Sequence, residues 1–115
     1  MAFSEFERAR YQKILDEYIE LRRPPAHLRS QIDLSSRMDR RSVEIFVIRP
    51  FYIDPSQKME EPIARATYVK KRDIWKVYWQ WADLKWHKYS PVPEVATLED
   101  FLEIVHSDRH GYFWG

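Results

Sequence analysis

Asp83, Lys85 and His87 alternate through the segment DLKWHKY. In an extended chain alternate side chains share a side, so this spacing groups a carboxylate, an ammonium and an imidazole. Such a group can do acid-base work, with Asp83 orienting His87. The matching activity is that of a small hydrolase or nuclease, with Glu44 or Asp54 and a divalent cation as further members. The competing reading makes Asp83 a turn or ion-pair residue, with Lys85 and His87 as surface groups packed against tryptophans.

A second set of residues suggests binding. Tyr68, Lys70, Lys76, Tyr78 and Gln80 form an exposed sheet face if the neighbouring tryptophans turn toward helices, and Lys85, Trp86, His87 and Lys88 extend it. Bases stack on rings while cations follow phosphate, at roughly 1–3 kcal/mol per stacked base, so the set suits single-stranded nucleic acid. The RNP-type glycine-aromatic motif of many RNA-binding sheets is missing. A face meeting a protein partner has the same composition.

Other combinations are weaker. His106 and His110 have the i, i+4 spacing of a metal pair but lack the glutamate of an H-E-x-x-H site. Asp54, Glu60 and Glu61 lie without regular spacing in an expected loop. No metal site and no cofactor is expected. Gly111 and Gly115 are the two glycines, too few for a phosphate-cradling loop, a dinucleotide fingerprint or a G-x-S-x-G elbow. The absence of cysteine excludes disulfides, thiol catalysis and cysteine-ligated metals.

A length of 115 residues with 44% hydrophobic and 16% aromatic content supports one domain, 1–115, with a real core. The opening MAFSEFERAR lacks a signal pattern, and no apolar run approaches the roughly 18 residues of a membrane span. The expectation is a soluble, cytoplasmic protein with no membrane association. Net charge is +1, which gives no global push toward nucleic acid. Its distribution is uneven: 70–89 has six basic and two acidic side chains, a net of +4, whereas 90–108 has five acids and neither Lys nor Arg. The two blocks can also simply pair with each other.

The elements that must position these groups follow from pattern. Ser4 and Glu7 form a capping box for a helix over about 4–23, with Tyr11, Ile14, Leu15, Tyr18 and Leu21 as its apolar stripe and Pro24-Pro25 as its stop. Period-two alternation marks four strands within about 31–81. They begin near Gln31, Val43, Ile63 and Ile74, with a long loop over Ile53 to Pro62. In the second, Val43, Ile45 and Val47 face one way and Phe46 and Ile48 the other, so this strand is expected to be covered on both sides. In the fourth, Trp75, Val77, Trp79 and Trp81 share a face. Thr97 caps a second helix over about 97–107, with Leu98, Phe101, Leu102 and Val105 inward. Turns of about three residues favour an antiparallel meander. The expected fold is α+β: a four-stranded antiparallel meander flanked by an N-terminal and a C-terminal helix. The aromatic tail Tyr112-Phe113-Trp114 is expected to fold back over Trp86, closing the core between strand four and the second helix.

The stretches RRPPAHLR (Arg22–Arg29), VEIFVIRP (Val43–Pro50), PIARATYVKK (Pro62–Lys71) and IWKVYWQWADLKWHKYSPVPE (Ile74–Glu94), with the ending YFWG, resemble the bacterial domain of unknown function 3024 family. DLKWHKY is the most specific of these. Trp81 stands where a basic residue is expected in such a family, and Tyr112 where a cysteine is common. The resemblance implies one coherent domain and supplies no catalytic residue. The reading reached from sequence is a non-enzymatic binding or adaptor domain for protein or nucleic acid. The hydrolase or nuclease is the alternative.

Overall fold

The computed structural model describes residues 2–114. Helix α1 (Glu5–Arg22) begins at the expected capping box: Ser4 Oγ accepts from the Glu7 N–H at 3.1 Å, and Glu7 Oε1 accepts from the Ser4 N–H at 2.8 Å. Tyr11, Leu15, Tyr18 and Ile19 are its buried residues. Leu21, expected in the stripe, is 79% exposed. At about 100° per residue, Ile19 returns to the face of Leu15 and Leu21 has rotated away.

A single 3-10 turn (Ala26–Leu28) leads into the sheet, whose strands are β1 (Asp33–Met38), β2 (Ser42–Pro50), β3 (Lys58–Val69), β4 (Ile74–Gln80), β5 (Trp86–Lys88) and β6 (Glu94–Val95). Helix α2 (Leu98–Ser107) follows, capped by Thr97, whose Oγ1 accepts from the Asp100 N–H at 3.1 Å. Every pairing is antiparallel, in the order β1-β2-β3-β4-β5, with β6 also on β4. The class is α+β, as expected, and six strands replace four.

The two additional strands form one interrupted edge. Trp86–Lys88 pairs with Tyr78–Gln80, and Glu94–Val95 pairs with Trp75–Lys76. Between them Val77 uses both backbone groups, accepting from the Tyr89 N–H at 2.9 Å and donating to the Pro93 carbonyl at 3.0 Å. Pro91 and Pro93 conceal this edge in the sequence, since proline reads as linker. Strand β3 likewise starts five residues earlier than expected. Pro62 stands opposite Phe46 at a register shift. A residue without an N–H is tolerated there, because β4 reaches only to Ala64 on the other side.

One core lies between the helices and one face of the sheet. Val43, Ile45 and Val47 from β2, Ala64 and Ala66 from β3, and Trp75 and Val77 from β4 meet Tyr11 and Leu15 of α1 and Phe101 and Val105 of α2. The opposite face has no helix over it. Phe46 is nonetheless buried, with the Arg37 guanidinium 4.4 Å from its ring centroid. The expected second cover over β2 is thus a layer of charged side chains rather than another element. No helix among the described residues is long and apolar enough to cross a membrane.

The junction of α1 with β1 is a two-point ion pair. Arg23 Nε and Nη2 donate to Asp33 Oδ1 and Oδ2 at 3.1 and 2.6 Å. Arg23, and then the Leu34 N–H, hold the Asp33 carboxyl below its usual range against the opposing effect of burial. A carboxyl lowered by folding stabilises fully above its unfolded value, near pH 4, and that stabilisation is lost as pH falls toward the folded value. Asp33→Asn should therefore lower Tm at pH 7, and the gap to wild type should narrow below about pH 4. A gap that stays constant from pH 7 to pH 3 would remove this pair from the acid sensitivity.

Candidate functional site

The β4–β5 hairpin brings two of the three expected acid-base residues together. Asp83 Oδ1 accepts the Lys85 N–H at 3.0 Å, Leu84 adopts a left-handed φ of 62°, and the chain reverses between Trp81 and Lys85. His87 then returns opposite Trp79, with Nε2 at 2.9 and 3.1 Å from the two Asp83 oxygens. The Lys85 N–H, and then His87, hold the Asp83 carboxyl below the usual carboxylate range. Trp79 and Trp81 flank the imidazole at 5.6 and 6.1 Å between ring centroids. Lys85 contributes its backbone to this turn and its side chain is exposed. The remaining proposed members stand elsewhere. Glu44 is on the helix-free face, held by Arg37 and Arg65, and Asp54 closes a turn on Ser56. The arrangement is an imidazole hydrogen-bonded to a carboxylate; among the described residues no further side chain bonds the imidazole.

The helix-free face divides electrostatically. Pairing places Arg37, Glu44, Arg65, Tyr78 and Lys88 in one row across five strands. Its β1–β3 half is neutralised: Arg65 reaches Glu44 at 2.6 Å and Asp39 at 3.0 Å, while Arg37 bonds Glu60 and lies 3.5 Å from Glu44. The half toward β4 and β5 is not. A cavity of about 400 Å³ there is lined by Arg41, Thr67, Lys70, Lys71, Lys76 and Tyr78 among others. A smaller one, of about 140 Å³, lies against Lys76, Tyr78, Lys88 and Glu94. Lys76 and Tyr78 wall both, so the two adjoin along one groove-like stretch of the face. Among the described residues, Arg41, Lys70, Lys71, Lys76 and Lys88 form no salt bridge. The acidic block supplies only Glu94 nearby, and its oxygens are taken by Arg72 at 2.8 and 2.9 Å. Among the described residues Arg72–Glu94 is the one salt bridge that joins the basic and acidic blocks.

The expected binding residues separate accordingly. Lys70, Lys76, Tyr78 and Lys88 line the groove, and Trp86 continues the same face opposite Gln80. His87 points to the helix side of the sheet, in register with Trp79, and Lys85 sits in the hairpin turn. Tyr68 also borders the groove, but its ring turns away from the exposed face. It pairs with Trp75 on the core side, 5.1 Å from that ring and 6.2 Å from Phe3. Its hydroxyl donates to Asp73 at 2.7 Å, a bond that with burial pushes the phenol up to about 12. Ala64 and Ala66 on β3 are buried on this side, and Tyr68 follows them by strand alternation. Arg41, Thr67 and Lys71 complete the groove and were not anticipated. The signal for Arg41 is the β2–β3 pairing, in which its carbonyl accepts the Tyr68 N–H at 2.8 Å.

Three further expectations are settled by geometry. Trp81, expected on the core face, lies beyond the end of β4 and is 59% exposed. His106 and His110 do not share a helix face, because α2 ends at Ser107 and Asp108 turns left-handed at φ 40°. Among the described residues no group of three or more His, Asp or Glu side chains is placed to hold a metal ion. The tail does fold back, but onto Tyr89 and Trp79 rather than Trp86: Phe113 lies 4.8 Å from Tyr89 and Tyr112 4.9 Å from Trp79. Gly115, the last residue of that expected tail, lies outside the described residues.

No curated protein and no solved structure matches the chain. A family model does, over residues 3–115, and by this match the chain belongs to the family described as a domain of unknown function (DUF3024).

Proposed function

We propose that the domain is a non-enzymatic binding module that holds single-stranded nucleic acid on the β4–β5 half of its helix-free face. The observation supporting this reading is the contrast within one sheet face. Arg37 and Arg65 are matched by carboxylates, whereas Arg41, Lys70, Lys71, Lys76 and Lys88 form no salt bridge among the described residues, and Glu94 beside them is held by Arg72. Tyr78 and Trp86 are diagonal neighbours across β4 and β5, a separation of about 7–8 Å. Two rings on one face offer stacking platforms for bases, and Lys70, Lys76 and Lys88 line a path for the phosphates.

The test is fluorescence anisotropy with a labelled oligothymidine at several salt concentrations. Affinity should fall as salt rises, with a log-log slope of about −0.7 per neutralised phosphate. Lys70→Gln, Lys76→Gln and Lys88→Gln combined should reduce that slope by about 2. Tyr78→Ala should cost roughly 1–3 kcal/mol with the slope unchanged. Absence of binding at low salt, with an acidic peptide bound instead, would transfer the face to a protein partner. The 2.9 Å contact of His87 with Asp83 supports a second reading as a nuclease. Intact oligonucleotide after prolonged incubation with magnesium removes it; cleavage abolished by His87→Ala would establish it in place of simple binding.

A further inference from the structure

Another cavity lies on the other side of the sheet, where the end of α1, β1, β2 and the end of α2 meet. It measures about 430 Å³, within the range typical of small-molecule sites. Ile32, Leu34 and Val47 supply apolar walls, and Tyr18, Arg22 and Trp114 close it on the helix side. Its charges do not cancel. Asp33 reaches the cavity, but Arg23 holds both of its carboxylate oxygens. Arg22 has no carboxylate partner among the described residues. Its guanidinium carbon lies 4.8 Å from the Tyr18 ring centroid, and its Nε donates to His106 Nδ1 at 2.9 Å. A guanidinium has five N–H donors, so four remain.

Tyr18 adds an independent observation. The residue is 7% exposed, and its hydroxyl is buried with no hydrogen-bond partner among the described residues. Native proteins rarely leave such a group unpaired, and each instance calls for an explanation. Burial pushes this phenol up to about 12, so it stays protonated at neutral pH and offers a donor.

We propose that this cavity binds a small amphipathic carboxylate. The apolar body lies against Ile32, Leu34 and Val47, the carboxylate accepts from Arg22, and a small shift of the Tyr18 ring on binding uncovers its hydroxyl to donate as well. An uncharged head group would leave the guanidinium without a counter-charge, and a cation would face it directly, so the anion is the complementary choice. This inference does not depend on the nucleic-acid reading, since the groove occupies the opposite face of the sheet.

Octanoate is the probe and 1-octanol its uncharged control, compared by calorimetry on the full chain. Octanoate should bind at least about tenfold more tightly than octanol, the advantage of a charged hydrogen-bonded head group. Arg22→Gln should erase that preference. Tyr18→Phe removes one oxygen and no packing, so it should stay folded by circular dichroism while weakening octanoate about tenfold. Octanoate binding no tighter than octanol, or unchanged in folded Tyr18→Phe, would overturn the proposal. A Tyr18→Phe protein that loses octanoate but keeps octanol would establish it even if Arg22→Gln failed to fold.

Discussion

A chain ending at Gly111 should be less stable than the full domain by about 4 kcal/mol and melt more than about 10 °C lower. Phe113 is 6% exposed and packs 4.8 Å from Tyr89, itself buried at the domain's edge strand. Burying one such ring stabilises by about 1.5–3 kcal/mol. The tail also completes α2. Asp108 turns left-handed at the helix end, and its carboxylate accepts from the N–H groups of Phe113 and Trp114 at 3.1 and 2.9 Å. The Trp114 indole donates to the Val105 carbonyl at 2.8 Å, satisfying one of the last-turn carbonyls that a helix leaves open. Each such bond contributes about 0.5–1.5 kcal/mol. Thermal unfolding of the truncated and full chains gives the comparison. Melting within a degree or two would make the tail a free recognition element.

Trp75→Ala should cost about 3–5 kcal/mol, the usual penalty for emptying a buried aromatic site. Trp75 is 2% exposed and stands where α1 meets the sheet, with Phe3, Tyr11 and Tyr68 between 5.1 and 5.8 Å away. Removing it deprives three rings of a common neighbour, so the site has little means of collapsing. Trp81→Ala is the internal comparison: the same deletion three alternations along the same strand pattern, at an exposed position, should change stability by no more than about 0.5 kcal/mol. Urea midpoints for both variants test the pair. Equal losses would mean that Trp81 packs as Trp75 does, and the core boundary at the end of β4 would be wrong.

That boundary shows where sequence reading succeeds and where it stops. Alternation correctly assigned Val43, Ile45, Val47, Trp75 and Val77 to one face, because a strand has only two faces and apolar residues choose the buried one. It assigned Trp81 with them because the pattern says nothing about where pairing ends. The capping box located the first helix, since both of its bonds are local. The edge formed by Trp86–Lys88 and Glu94–Val95 was not legible: its bonds are to β4, and its intervening prolines mimic a linker. The site divides in the same way. The Asp83–His87 contact is four residues long and could be read from spacing. The groove depends on Arg41 meeting Lys70 and Lys76 across three strands, and on which cations already have carboxylate partners. Both are properties of the folded sheet.

The tryptophans offer the most direct measurement of the binding claim. The chain has five, at 75, 79, 81, 86 and 114, and each indole N–H gives its own resonance in a nitrogen-labelled sample. On titration with oligothymidine, the Trp86 indole should shift together with the amides of Thr67, Lys76, Tyr78 and Lys88, while the Trp75 indole under α1 stays in place. Shifts confined to Trp81 or Trp114, or none at saturating oligonucleotide in low salt, would contradict a nucleic-acid site on the helix-free face.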